Sequence, residues 1–279
     1  MAVVTPLVSK VASLVKTGIS QAVAGGGGAL LDAALAMSPV FLYDHKDITS
    51  FFSDSAMTTP AVVGGPIGAV RDKSGNNRHR RQTDNAKRPT LRQSGSLYYI
   101  EYNGTTNFLV TDSIDLTGTN VLTLCWGAAK ETGNNNALFL ESSSNATTTN
   151  GTIRLTANGG SIDNWEFGIR GTTTQGQFRQ GVTGSTKNVV TEVGKLIASA
   201  SLVDQLVARV DGVSSTVTGA GTTGGVNYGN HAFYFGARGG SSLYFSGDDY
   251  GGALYAIEAT GANRTAIEAF VADRTGVTL

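Results

Sequence analysis

The feature that most restricts this chain is a long succession of short strand-like runs broken by glycine- and asparagine-rich turns. SLYYIEY at 96–102 alternates, as does VLTLCWGA at 121–128. VFLYD at 40–44, ALFLE, TIRLTA, WEFGIR, HAFYFGARG and SLYFSG are further short runs, separated by Asn, Gly, Ser and Thr clusters. LVARVDGVSSTVTG at 206–219 reads as two strands joined through Asp211-Gly212, the pair a type I′ hairpin turn prefers. Composition agrees: the 279 residues include 37 Gly, 33 Thr and 17 Asn. Thr suits strands, and Gly and Asn tolerate the positive φ of tight turns. Such a pattern predicts an all-β, two-sheet antiparallel sandwich.

The two ends break the pattern. In TPLVSKVASLVKTGISQAV, Leu7, Val11, Leu14 and Val15 share one face at helical spacing, and GGGG at 25–28 closes the segment as a hinge. This amphipathic helix either packs on its own domain or docks on another subunit. A second short helical stretch, LLDAALAM, follows, so residues 1–38 read as a helical anchor and 39–279 as the sandwich. At the other end ANRTAIEAFVADRTGV places Ile267, Phe270 and Val271 on one face, leaves Arg264, Glu268, Asp273 and Arg274 polar, and sets Gly276 as a C-cap. A closing helix on the sandwich is expected.

Charge excludes a global attraction to nucleic acid or membrane, because 21 basic residues balance 21 acidic ones. No run reaches the roughly 20 apolar residues of a membrane helix, and the N-terminus lacks the charged and apolar regions of a signal peptide. The expectation is a soluble protein made in a cytoplasm. Cys125 is alone, so it reads as a small buried hydrophobe.

Four stretches, in order, resemble the concanavalin A-like (laminin G-like) jelly-roll modules of tailed-phage virion proteins. The first is FLYDHKDITSFFSDSAMTTPAVVGGPIGAVRDKSGNNRHRRQTDNAKRPTLR, with Tyr43-Asp44, Asp72 to Asn76, Gln82 and Arg88-Pro89 at the matching points. YIEYNGTTNFLV follows, with Asn103 and Asn107 where that family usually has aspartates. LVARVDGV and LYFSGDDYGGALYAIEA, the latter running into the last helix, complete the series. The resemblance covers roughly residues 39–279. It implies a jelly roll of the lectin/glucanase type and a structural part of a virion: a capsid decoration, fibre or tail protein, self-associated and bound to other virion proteins.

The candidate residues are few. Residues 71–92 carry eight Arg or Lys against two Asp. Asp72-Lys73-Ser74-Gly75-Asn76 supplies turn chemistry, whereas Arg78, Arg80 and Arg81 exceed that need. They fit a solvated loop with internal ion pairs, an acidic neighbour in an assembly, or, less well without interleaved aromatics, nucleic acid. Leu7, Val11, Leu14, Val15 and these three arginines are the assembly contacts expected.

Catalysis finds little support: there is no E-x-D-x-E strand, no G-x-S-x-G elbow and no HExxH. No enzyme is expected and no cofactor, save that Asp248-Asp249, placed in a glycine-flanked loop, form a weak Ca²⁺ candidate. The runner-up function is recognition of a host-surface glycan. Its candidates are Trp165 with Asn164 and Arg170, and Tyr228 with Asn230 and His231. Trp126, in an apolar strand, reads as core.

Overall fold

A computed structural model of the chain describes residues 27–131, 137–158, 164–172, 175–181, 186–199, 201–217 and 222–279. The helix expected before residue 25, with Leu7, Val11, Leu14 and Val15, lies outside the described residues. Gly27 and Gly28, read as the end of a hinge, instead begin helix α1 (Gly27–Leu35). This helix lies against the closing helix of the chain and the sandwich.

The strands then follow in quick succession. The first eight are β1 (Phe41–Asp44), β2 (Phe51–Phe52), β3 (Ala69–Val70), β4 (Arg80–Arg81), β5 (Thr90–Ser94), β6 (Leu97–Asn103), β7 (Leu109–Val110) and β8 (Ile114–Asp115). The longest come next: β9 (Val121–Lys130), β10 (Ala137–Ser142), β11 (Thr152–Asn158), β12 (Asn164–Arg170), β13 (Gln175–Gly181) and β14 (Lys187–Lys195). One turn of helix, α2 (Leu202–Gln205), precedes β15 (Leu206–Val210), β16 (Val213–Ser214), β17 (Asn230–His231), β18 (Phe233–Phe235) and β19 (Ser246–Tyr255). Helix α3 (Gly261–Thr275) closes the chain.

Among the described residues these strands form two large antiparallel sheets. An eight-stranded sheet runs β16-β15-β14-β9-β19-β6-β5, with β1 beside β19. A nine-stranded sheet runs β13-β12-β11-β10-β18-β7-β4-β3-β2, and β17 and β8 make a small ribbon. Neighbours such as β19 and β6 are far apart in sequence, which is the crossover pattern of a jelly roll. The Asp211-Gly212 hairpin forms as expected, with φ of 51° and 75°, the two positive values a type I′ turn requires.

Side-chain alternation sorts the apolar residues into two cores. Phe41, Tyr43, Trp126, Val190 and Leu254 point between the sheets and join Phe139, Trp165, Phe233, Phe235 and Phe245. Their neighbours Leu42, Cys125, Val189 and Ala253 point outward and are roofed by Ile267, Phe270 and Val271 of α3 and Ala34 of α1. Burying each of those three α3 side chains contributes about 1.5–3 kcal/mol. Gly276 is the C-cap at φ 73°. Two of the polar residues of that helix are buried: Glu268 accepts from Arg209 Nε at 2.7 Å, and Arg274 Nε donates to Asp44 at 3.0 Å.

Strand β19 carries a bulge between Asp249 and Gly251. Asp249 and Leu254 are five apart, so a regular strand would aim them at opposite faces. The inserted residue resets the alternation and turns both inward. The bulge therefore delivers a carboxylate to the main core.

Candidate functional site

Most of the basic residues of 71–92 are engaged by their own fold. Asp72 accepts from the backbone N–H groups of Leu42, Ser74 and Arg78, and Gly75 takes φ 88°, so the turn chemistry is as expected. Arg78 donates to the Val40 carbonyl at 3.1 Å, and Arg88 to the carbonyls of Gln82 and Ser53. Lys73 pairs with Asp47 at 2.5 Å, Arg92 with Glu101, and Arg71 lies over the Phe52 ring. Arg81 reaches the exposed Asp112 at 3.5 Å. Arg80 is the decisive case: it is 0% exposed. As an assembly contact it must be withdrawn, because no partner can touch it.

Arg80 instead organises the core. Its Nη1 donates to Asp249 Oδ2 at 2.6 Å, and the guanidinium lies 4.2 Å from the Tyr43 ring centre and 4.6 Å from that of Phe235. Asp249 Oδ1 accepts from Trp126 Nε1 at 2.7 Å and from the Gly251 N–H at 2.8 Å. Burial pushes this carboxyl up, but the charge of Arg80 and the indole donor hold it below its ordinary value. His45 Nδ1 lies 3.0 Å from the Asp249 carbonyl and must carry the proton, so Nε2 accepts from Arg80 Nη2 at 2.8 Å. That ring is neutral, its pKa pushed down to about 4 chiefly by burial. The calcium reading fails here. Asp248 and Asp249 sit in a strand, on opposite faces, and Asp249 is taken up by Arg80 and Trp126. Among the described residues no group of three acids, histidines or cysteines converges as a metal site.

The sugar-binding candidates also divide. Trp165 is wholly buried between the sheets, its Nε1 donating to Asn188 Oδ1 at 3.2 Å, so it presents no face to a ligand. Tyr228 is buried as well, its hydroxyl donating to the Gly194 carbonyl at 3.0 Å. Asn164 is buried and Arg170 half-buried, at opposite ends of β12. Asn230 is exposed and His231 half-buried in the small ribbon, where Nε2 of His231 faces the Asn150 carbonyl at 3.0 Å. The six do not form one site. Trp165, in an apolar strand, belongs to the core, as its apolar neighbours imply.

The outer face of the nine-stranded sheet assembles another group. Since Phe233 and Phe235 point into the core, Tyr234 between them points out. Register then fixes a row across six strands: from Arg81 on β4, Val110, Tyr234, Glu141, Arg154 and Gly168 are successive cross-strand partners. Tyr234 and Val110 are half-buried, so this part of the row is reachable from solvent.

Glu141, opposite Tyr234, opens a cluster of two acids and two arginines that runs on across β11 and β12. Glu141 Oε2 accepts from Arg238 Nε at 3.4 Å and from the Ala146 N–H at 3.1 Å. Arg154 is ion-paired with Glu166. Glu141, Arg154 and Glu166 are all buried, and burial lifts the Glu141 carboxyl above its ordinary range. Oε1 of Glu141 has no hydrogen-bond partner. Arg238 is 18% exposed at its side chain, and beyond Nε its guanidinium makes no hydrogen bond to a described residue. A guanidinium held by the carboxylate opposite a half-buried tyrosine suits the binding of a polar, C–H-bearing ligand. Sequence reading missed Tyr234, Glu141 and Arg238. The alternation in FYF was the signal for Tyr234; nothing local marked the other two.

No protein-family model matches the chain, and no curated protein matches it by sequence. Solved structures do. A botulinum neurotoxin type C structure, of a protein whose cell entry depends on two ganglioside molecules, is 9% identical with a TM-score of 0.55, over 84% of this chain and 51% of that one. The botulinum neurotoxin serotype D binding domain is 10% identical at a TM-score of 0.52, over 85% and 52%. An arabinofuranosidase complexed with arabinofuranosyl-alpha-1,2-xylobiose is 12% identical at 0.52, over 75% and 51%. The chain thus spans about half the length of each of these three. At such identities the likeness is one of fold, and that fold is the lectin-like β-sandwich.

Proposed function

We propose that this chain is a non-catalytic glycan-binding module whose ligand rests on the outer face of the nine-stranded sheet, against Tyr234 and Arg238. One observation carries the reading: a half-buried tyrosine on the outer face stands opposite a buried carboxylate that holds a partly exposed guanidinium. Sugars offer C–H faces to aromatic rings and hydroxyls to planar donors and acceptors. Two proteins of the same fold, the arabinofuranosidase and the type C neurotoxin, are described with sugar-bearing ligands, which supports the ligand class.

A binding role fits the acids better than hydrolysis. Glycosidases set one protonated and one ionised carboxyl on either side of an exposed bond, about 5–9 Å apart. Here Glu141 and Glu166 are both buried and both engaged by guanidinium groups, with Arg154 on the strand between them.

The test is binding of the full chain to a glycan array. Tyr234→Ala should weaken any binding at least about tenfold, or roughly 1.4 kcal/mol, while leaving the melting transition near wild type. Binding that is unchanged in this variant places the ligand elsewhere. The order of motifs from FLYD to the closing helix supports a second element of the proposal, that a tailed-phage particle carries the module. Particles assembled with a chain lacking residues 1–28 should then lose it; full incorporation would remove that element.

A further inference from the structure

Resting on this reading of the Tyr234 face, we infer that its ligand is a neutral glycan, not one bearing sialate, uronate or phosphate. The balance of charge decides it. Each arginine near the ring is already matched: Arg238 with Glu141, and Arg154 with Glu166. On the far side of Val110, Arg81 faces Asp112. Among these described residues an anionic sugar would find no arginine without a carboxylate partner. Its carboxylate, if bonded to the outer nitrogens of Arg238, would share that guanidinium with the carboxylate of Glu141. Two like charges on one guanidinium, over a buried and poorly screened acid, repel.

The unfilled positions ask for hydroxyls. Arg238 offers donors, and the Tyr234 hydroxyl makes no hydrogen bond to a described residue and both donates and accepts. A vicinal pair of sugar hydroxyls matches the accessible part of this set: one oxygen accepts from Arg238 while its neighbour exchanges a hydrogen bond with Tyr234. A carboxylate only accepts, so it has no proton to give the Tyr234 hydroxyl. The ring of a neutral hexose or pentose covers Tyr234 with its C–H face.

The experiment titrates the full chain with arabinoxylo-oligosaccharides and lactose against sialyllactose and oligogalacturonate, at low and high salt. Neutral sugars should bind, with an affinity that moves less than about twofold between low and high salt, because no net charge is exchanged. Sialyllactose should bind no more tightly than lactose. An acidic sugar that binds about tenfold more tightly than its neutral counterpart, and loses that advantage in salt, overturns the inference but leaves the site. Tyr234→Ala and Arg238→Met separate the two claims: neutral-sugar binding that both variants retain, with wild-type melting, overturns the site itself. Absence of binding to either class overturns both.

Discussion

Single residues in this fold are constrained most where charge is buried. Arg80 and Asp249 are both wholly buried and rely on each other. Asp249→Asn leaves a guanidinium in the core without its counter-ion and should cost about 3–5 kcal/mol, read by urea denaturation. A double exchange to Arg80→Met and Asp249→Leu should recover much of that loss, since apolar replacement of a whole buried pair is often close to neutral. Acidity tests two further residues. His45 has a folded pKa of about 4, below its unfolded value, so the unfolded state binds more protons between about pH 4 and 6.5 and stability rises with pH there. Asp248 is raised to about 6 by burial and by Glu101 and Glu131, so the native state binds more protons and stability falls with rising pH from about 4 to 6. The two oppose each other. Asp248→Asn should therefore steepen the gain in stability between about pH 4 and 6, by at most about 1.4 kcal/mol per pH unit. Denaturation curves across that range give the answer, and an unchanged slope contradicts it. Neither the buried arginine nor the inward aspartate was legible in the sequence. RHRR and GDDYGG look like solvated turns until partners far along the chain, 169 residues apart for Arg80 and Asp249, are brought together.

Elements were easier to read than their ends. The strands read at 96–102 and 121–128, the Asp211-Gly212 hairpin and the apolar stripe of α3 each depend on near neighbours, and each is found, the strands running over 97–103 and 121–130. The bulge in β19 escaped notice because it is a relation between three strands. Its cost is testable. A Cβ on Gly251, at φ 88°, would meet the Tyr43 carbonyl oxygen at 2.5 Å, whereas one on Gly75, also at φ 88°, meets nothing within 4 Å. Gly75→Ala should cost only about 1 kcal/mol of backbone strain, and Gly251→Ala clearly more, with melting curves of the two variants as the comparison. Equal losses would mean that the bulge yields freely. At α3, Phe270→Ala should cost about 3–5 kcal/mol, because the cavity it leaves lies between the helix and the outer side of the eight-stranded sheet.

The molecule as a whole divides its apolar residues between two layers, and this division decides which sheet face the helices cover. Helices α1 and α3 cover the outer side of one sheet, so the nine-stranded sheet is the one whose outer side bears Tyr234. The same topology explains why the sequence pointed to the wrong aromatics. Trp165 and Tyr228 carry the polar handles a sugar site wants, but both handles are satisfied inside the sandwich. What the sequence determined by itself was the architecture: period-two apolar runs and positive-φ turn residues are local requirements, and they admit little besides an antiparallel sandwich closed by a helix. Only the tertiary structure decided which side of each strand meets the core and which charges neutralise one another. Those outcomes depend on register and on a single inserted residue, and a shift of one position exchanges the two faces of a strand.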